Sequence, residues 1–123
     1  MVIEIDFESD EAIYRQLCRK IIFEIAASRL RDGDTLPSVR ELADTIGINM
    51  HTVNKAYSLL RDEGFLRVDS RRGTVVYVDA GRVRAEEELK KELKAALAKA
   101  SCRNISRQEV HNFVDEIIDQ MNR

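Results

Sequence analysis

Apolar residues recur at helical spacing in the first part of the chain. In "SDEAIYRQLCRKIIFEIAASRL" they fall on one face of a helix over residues 9–30, and Ser9 or Asp10 is expected to cap its start. The preceding "MVIEIDF" alternates apolar and acidic residues and fits a short strand or an arm. Asp-Gly and Pro in "RDGDTLP" then predict a loop after the helix.

Two shorter amphipathic helices are predicted in "SVRELADTIGINMHTVNKAYSLLRDEG". Ser38 and Glu41 have the spacing of a capping box at the first helix, Gly47 suits the left-handed residue that ends it, and Asn49 is a good cap for the second. The expected buried sides are Val39, Leu42, Ala43 and Ile46 on the first helix and Val53, Ala56, Tyr57 and Leu60 on the second. A turn of about three residues between them is typical of a helix-turn-helix.

After Gly64 the apolar period changes from 3.6 to 2. Residues 65–68 ("FLRV") and 74–78 ("TVVYV") are expected to pair around the polar tip "DSRRG". Three helices followed by a hairpin make a winged helix. The expected fold is therefore mainly α with a small β wing.

The composition shifts near Gly81, where Ala, Glu, Lys and Leu become frequent and a two-helix hairpin is predicted. Ser106 and Glu109 form a second expected capping box. We expect two domains, a winged helix-turn-helix at 1–80 and a dimerisation tail at 81–123, because two short helices cannot securely bury both their apolar stripes alone. The expected dimerisation residues are Leu89, Leu93, Leu97, Val110, Phe113, Val114, Ile117, Ile118 and Met121. Docking of the tail onto the chain's own winged helix is the alternative.

Composition narrows the class of protein. The 123 residues contain no signal-peptide pattern and no run of about 18 apolar residues, so we expect a soluble cytoplasmic chain without membrane contact. Cys18 and Cys102 lie far apart, and no Cys, His or carboxylate cluster has metal-ligand spacing. No phosphate loop or nucleophile motif occurs either. We therefore expect no enzyme, no catalytic residues, no metal and no cofactor.

Nucleic acid is the partner that the arrangement of residues favours, although the net charge of −2 is not the usual footprint of a DNA-binding protein. The N-terminal half of a recognition helix enters the major groove, and here that half is left polar and free of the expected core. Asn54 can pair with adenine, Lys55 suits a phosphate, and arginines at the hairpin tip suit a narrow minor groove. The candidate DNA-binding residues are Arg40, Met50, His51, Thr52, Asn54, Lys55, Arg71 and Arg72.

From "IYRQLC" to "TVVYV" the chain resembles the GntR family of bacterial transcription regulators. The segments "GDTLPSVRELA", "INMHTVNKAY", "LRDEG" and "RRGTVV" appear in the family's order, and the short two-helix tail is similar to the YtrA-type subfamily. The resemblance implies dimerisation through the tail and repression of operons for ABC-type transporters, often including the regulator's own gene.

The same resemblance implies DNA contacts on three elements. They are Arg40 of the preceding helix, Met50, His51, Thr52 and Asn54 of the recognition helix, and Arg72 and Gly73 of the wing. Met50 and Asn54 stand where many members have arginine, so we expect Arg40 and the wing to carry more of the recognition. The function expected is a sequence-specific, homodimeric transcription regulator, most simply a repressor, bound to double-stranded operator DNA. A winged helix that serves only protein interaction is the alternative from another class, and a small-molecule effector is left open.

Overall fold

The computed structural model describes residues 1–122. Its elements in chain order are the helices α1 (Ile13–Ala26), α2 (Val39–Ile46) and α3 (Met50–Asp62), the strands β1 (Leu66–Asp69) and β2 (Gly73–Val76), and the helices α4 (Arg82–Cys102) and α5 (Arg107–Met121). The chain forms two compact units, the first covering Met1–Asp79 and the second beginning at Ala80. The prediction of a mainly helical winged-helix fold with a small β wing is confirmed.

Local capping sets the helix-turn-helix. The Ser38 hydroxyl accepts the backbone N–H of Glu41 at 3.1 Å, and the Glu41 carboxylate accepts the N–H of Ser38, so the predicted capping box is present. Gly47 ends α2 with φ +82°, a conformation that residues with a Cβ rarely adopt. Asn49 then caps α3 by accepting the N–H of His51 at 2.7 Å. These three caps fix the sharp turn that presents α3.

The core of the first unit lies between α1, α2 and α3 and is closed by the hairpin. Ala43 and Ala56 are both buried, and their small side chains allow α2 and α3 to approach closely. The most completely buried apolar side chains are Leu17, Ile21, Val53, Ala56, Tyr57, Leu60, Val75 and Val76. The core is thus built from the apolar faces that the helical and strand periods predicted.

The first helix is shorter than its apolar pattern predicted. It begins after Ala12 without a side-chain cap, because the Ser9 hydroxyl accepts the N–H of Glu11 within the preceding turn. It ends at Ala26, and Ser28 adopts φ +60° just beyond it. The expected cap by Ser9 or Asp10 and the expected extent over 9–30 were therefore wrong.

The N-terminal segment is an arm and not a strand, and a buried amide holds it in place. The Gln16 side chain, 1% exposed, accepts the N–H of Asp6 and donates to the carbonyl oxygens of Asp6 and Glu11, each at 2.9 Å. Ile3 packs against the core from the same arm. Every polar atom of the Gln16 amide that faces the interior therefore has a hydrogen-bond partner, so its burial leaves no polar group unsatisfied.

A third segment, the loop before α2, pairs with the two-stranded wing, and the sequence did not indicate this contact. β1 and β2 pair antiparallel with Leu66 opposite Val76, and Thr35 forms a bridge to Val75 on the other side of β2. The Gly33 and Leu36 N–H groups donate to Val76 and Thr74 at 2.8 Å. The loop before α2 therefore anchors the hairpin, which begins and ends within two residues of the predicted strands.

The second unit consists of α4 and α5, joined by a turn in which Asn104 adopts φ +62°. Ser106 caps α5 by accepting the N–H of Glu109, which is one half of the predicted capping box. The large apolar residues on both helices remain about half exposed, including Leu89 at 56% and Ile117 at 49%. Within the described chain, neither tail helix has a fully buried residue.

Candidate nucleic-acid interface

The first turns of α3 present unpartnered polar groups on an exposed face. His51 and Asn54 are exposed, and neither side chain forms a hydrogen bond within residues 1–122. Thr52 is half-buried, whereas Met50 is 43% exposed despite being apolar. On the opposite side of the helix, Val53 is completely buried. The core therefore holds one face of α3 and leaves its N-terminal half free to meet a ligand, as entry into a major groove requires.

Tyr57 ties the recognition helix to the chain segment before α2. Its side chain is fully buried, and its hydroxyl donates to the Pro37 carbonyl oxygen at 2.8 Å. Burial, with a smaller contribution from the Glu41 carboxylate, raises the pKa of the phenol, so the hydroxyl remains a neutral donor. This bond sets the position of α3 relative to the start of α2, and the predicted core role of Tyr57 is confirmed.

Arg40 lies in the first turn of α2, beside the capping box. It is exposed and forms no salt bridge with any described residue. Its guanidinium is therefore available for a phosphate or a guanine edge, both of which suit its bidentate geometry.

The Lys55 side chain contacts an aromatic ring of the same unit. Its ammonium lies 3.9 Å from the centroid of the Tyr14 ring, at the contact between α3 and α1. A cation over an aromatic face is stabilised there, which places this charge beside α1. Lys55 remains exposed, so a role at a phosphate stays a prediction.

The wing tip is organised by Asp69, which sequence reasoning did not select. Its carboxylate accepts the backbone N–H groups of Arg71 and Arg72 at 2.8 and 3.0 Å. These bonds hold the pKa of Asp69 below its ordinary value, so the carboxylate stays charged. Gly73 closes the turn with φ +79°. An aspartate two residues before an arginine pair is the signal that could have indicated this turn.

The two wing arginines differ in their contacts. The Arg72 side chain donates to the Gly33 carbonyl oxygen at 3.1 Å and lies 3.9 Å from the Asp69 carboxylate, while about half of it stays exposed. Arg71 is exposed and its side chain forms no hydrogen bond within the described residues. The wing therefore presents the Arg72 guanidinium, which is positioned by Gly33 and Asp69, and the Arg71 guanidinium, which has no hydrogen-bond partner among the described residues.

Residues 1–122 contain no group of three or more His, Cys, Asp or Glu side chains placed to hold a metal ion. No helix in that range is long and apolar enough to cross a membrane.

A helix-turn-helix with an exposed recognition helix and a cationic wing defines the class of winged-helix transcription regulators. The model of the family "Bacterial regulatory proteins, gntR family" matches residues 13–76. The chain belongs to the GntR family and is a DNA-binding transcription regulator of the YtrA type.

Three known proteins illustrate this kinship. The chain is 33% identical over 119 residues to the HTH-type transcriptional repressor YtrA of Bacillus subtilis (strain 168), covering 94% of this chain and 92% of that protein. It is 40% identical to the structure of YtrA from Sulfolobus acidocaldarius, a GntR-family transcription factor, with a TM-score of 0.59 and coverage of 98% and 100%. The AraR DNA-binding domain in complex with operator ORX1 is 25% identical, with a TM-score of 0.52 and coverage of 62% and 98%.

Proposed function

We propose that the protein is a homodimeric repressor that binds a pseudo-palindromic operator with one recognition helix in each half-site. The observation that carries this proposal is the exposed first half of α3, where His51 and Asn54 have no partner among the described residues. Arg40 precedes α3 in the sequence and the wing arginines follow it, and all of them belong to the same compact unit. Double-stranded operator DNA is the partner that these groups fit, and the proposed place of action is the cytoplasm.

Dimerisation is assigned to the tail, as the second of two domains at 1–80 and 81–123. Seven large apolar side chains of α4 and α5 are between 42% and 56% exposed, which is a costly arrangement for a chain that works alone. The seven are Leu89, Leu93, Leu97, Phe113, Val114, Ile117 and Ile118. A second copy offers the same stripe, so a two-fold helical bundle would bury both.

Repression is favoured because the Bacillus subtilis relative is named as a repressor. The YtrA-type resemblance further supports an operon for an ABC-type transporter as the target, with the regulator's own gene included. A protein bound across a promoter at two half-sites blocks it without an enzymatic step.

Selection of bound genomic fragments, followed by gel shifts, tests this function. We expect enrichment of fragments that share a two-fold related site, including the promoter of the protein's own operon. Asn54→Ala should weaken operator binding by about 1 to 3 kcal/mol and leave binding to unrelated DNA nearly unchanged, because a lost bidentate adenine contact affects only the specific complex. Gln108→Ala, which removes an exposed amide from α5, is the control and should change neither.

Two results would contradict this function. Equal affinity for all fragments at every salt concentration would remove the sequence-specific role. Absence of any DNA binding by the folded protein would favour the protein-interaction alternative.

The wing contact makes a separate prediction. Arg72→Ala should lower the slope of log affinity against log salt concentration by about one, because one phosphate-neutralising cation is lost. Arg67→Ala is a matched control on the same hairpin, since the Arg67 guanidinium stacks 4.8 Å from the Tyr77 ring centroid and is not predicted to meet DNA. Titrations at several salt concentrations measure both slopes. Equal slopes for the Arg72 variant and the wild type would show that the Arg72 side chain does not contact a phosphate.

A further inference from the structure

A surface depression lies beside the first turn of the recognition helix. Its volume is about 530 Å³, and it is lined by Val39 from the start of α2 and by Asn49, Met50, His51 and Asn54. Val39 is half-buried and packs against the core, so its position is fixed. Met50 is 43% exposed at the first position of α3. Two apolar side chains thus border a recess on a face that is otherwise polar.

The polar groups of this depression are unequal. The side-chain oxygen of Asn49 (Oδ1) caps α3 by accepting the His51 N–H at 2.7 Å. The Asn54 amide has no hydrogen-bond partner within residues 1–122 and borders the same recess. The depression therefore combines an apolar border from Val39 and Met50 with two free polar side chains, the His51 imidazole and the Asn54 amide, and the amide can both donate and accept.

These features match the major-groove edge of one base step. An adenine presents N7 and the N6 amino group, and an asparagine amide can form a bidentate pair of hydrogen bonds with them. A thymine presents its O4 and a C5 methyl group. The methyl is the only apolar group among the base-edge features of the major groove. The recess, at about 530 Å³, has a much larger volume than a methyl group, so it can admit the edge of a base while one border contacts the methyl.

We propose that Met50, backed by Val39, forms a contact site for the C5 methyl of a thymine and that this contact contributes to operator choice. The inference rests on the proposed function, since it requires α3 to enter the major groove. It gives a role to an apolar side chain that is 43% exposed at the first position of α3. A contact with the thymine methyl favours A·T pairs at this position.

Thymine-to-deoxyuridine substitution tests the contact, because deoxyuridine lacks only the methyl group. In an operator obtained by genomic selection, each thymine of both half-sites is replaced in turn and the affinity is measured. We expect one thymine position, present once in each half-site, to be sensitive to this replacement. Replacing that thymine in a single half-site should weaken wild-type binding roughly fourfold, which is the effect of leaving one methyl group unburied. Met50→Ala should bind the thymine and deoxyuridine operators equally at that position.

Two further variants keep this test decisive. Met50→Leu retains an apolar side chain and should keep a preference for thymine. Val68→Ala removes an apolar side chain that is 63% exposed on β1 and should leave the methyl effect unchanged. Equal unfolding midpoints of Met50→Ala and wild type will show that the folded state is preserved.

The outcomes separate this inference from the function beneath it. Specific operator binding without any methyl-sensitive thymine would overturn the contact and leave the regulator function intact. A methyl effect that persists unchanged in Met50→Ala would assign it to another residue and also overturn the proposal. Failure to select any operator would overturn both.

Discussion

Replacing Phe113 and Ile117 together by aspartate should convert the proposed dimer into a monomer of 14.1 kDa and sharply reduce operator binding. Both side chains are almost half exposed on α5, at 47% and 49%. Four carboxylates at a two-fold interface would have to be desolvated without partners, which costs far more than the apolar contact contributes. Sedimentation velocity will measure the change in mass.

The loss of affinity follows from the loss of the second half-site. Two linked recognition helices bind with an effective local concentration, so separation into monomers should weaken operator binding by roughly 10²- to 10⁴-fold. Binding to a single isolated half-site should change little. This contrast distinguishes loss of assembly from damage to the DNA-binding unit.

Val83→Asp is the control for the introduced charge. Val83 is apolar and 74% exposed on α4, but it lies outside the predicted dimerisation set. We expect this variant to remain dimeric with unchanged operator affinity. A monomeric wild type, or a dimer that survives the Phe113 and Ile117 replacement, would contradict the role of the tail and favour its alternative docking onto the chain's own winged helix.

The elements predicted best are those whose signals are local. Ser38, Gly47 and Asn49 each specify a helix end through their own side chain or backbone freedom, so the helix-turn-helix could be placed closely from the sequence. The change from a 3.6-residue to a two-residue period likewise marked the wing. Their structural roles depend on neighbours within a few positions along the chain.

What the sequence could not show depends on distant backbone groups. Gln16 reads as a polar residue of an amphipathic helix, yet its burial follows from carbonyl and N–H groups in an arm as far as ten residues away. The bridge from Thr35 to Val75 joins segments forty positions apart. Asp69 lies between these two cases. Its hydrogen bonds are local, but an acidic residue on a wing that is proposed to contact DNA is not an obvious candidate.

The candidate DNA-binding residues divide in the same way. Exposure of His51 and Asn54 followed from identifying the buried side of α3, which the period supplied. The side-chain direction of Lys55 depends on Tyr14 in another helix, and that of Arg72 on a carbonyl in the loop before α2. The depression beside Met50 also needs Val39 from a different helix, so no single-helix pattern could have indicated it.

Tyr57→Ala should produce the larger of two graded losses of stability at this position. The side chain is fully buried, and its removal leaves a large cavity among α1, α2 and α3, so we expect a loss of roughly 3 to 5 kcal/mol in the free energy of unfolding. Tyr57→Phe keeps the ring but leaves the Pro37 carbonyl oxygen without its donor, at a cost of about 1 kcal/mol. Urea unfolding at one fixed protein concentration measures both, because the stability of a dimer depends on concentration. If the alanine and phenylalanine variants were equally stable, the ring would contribute nothing to the core, and the packing that holds α3 in place would have to reside elsewhere.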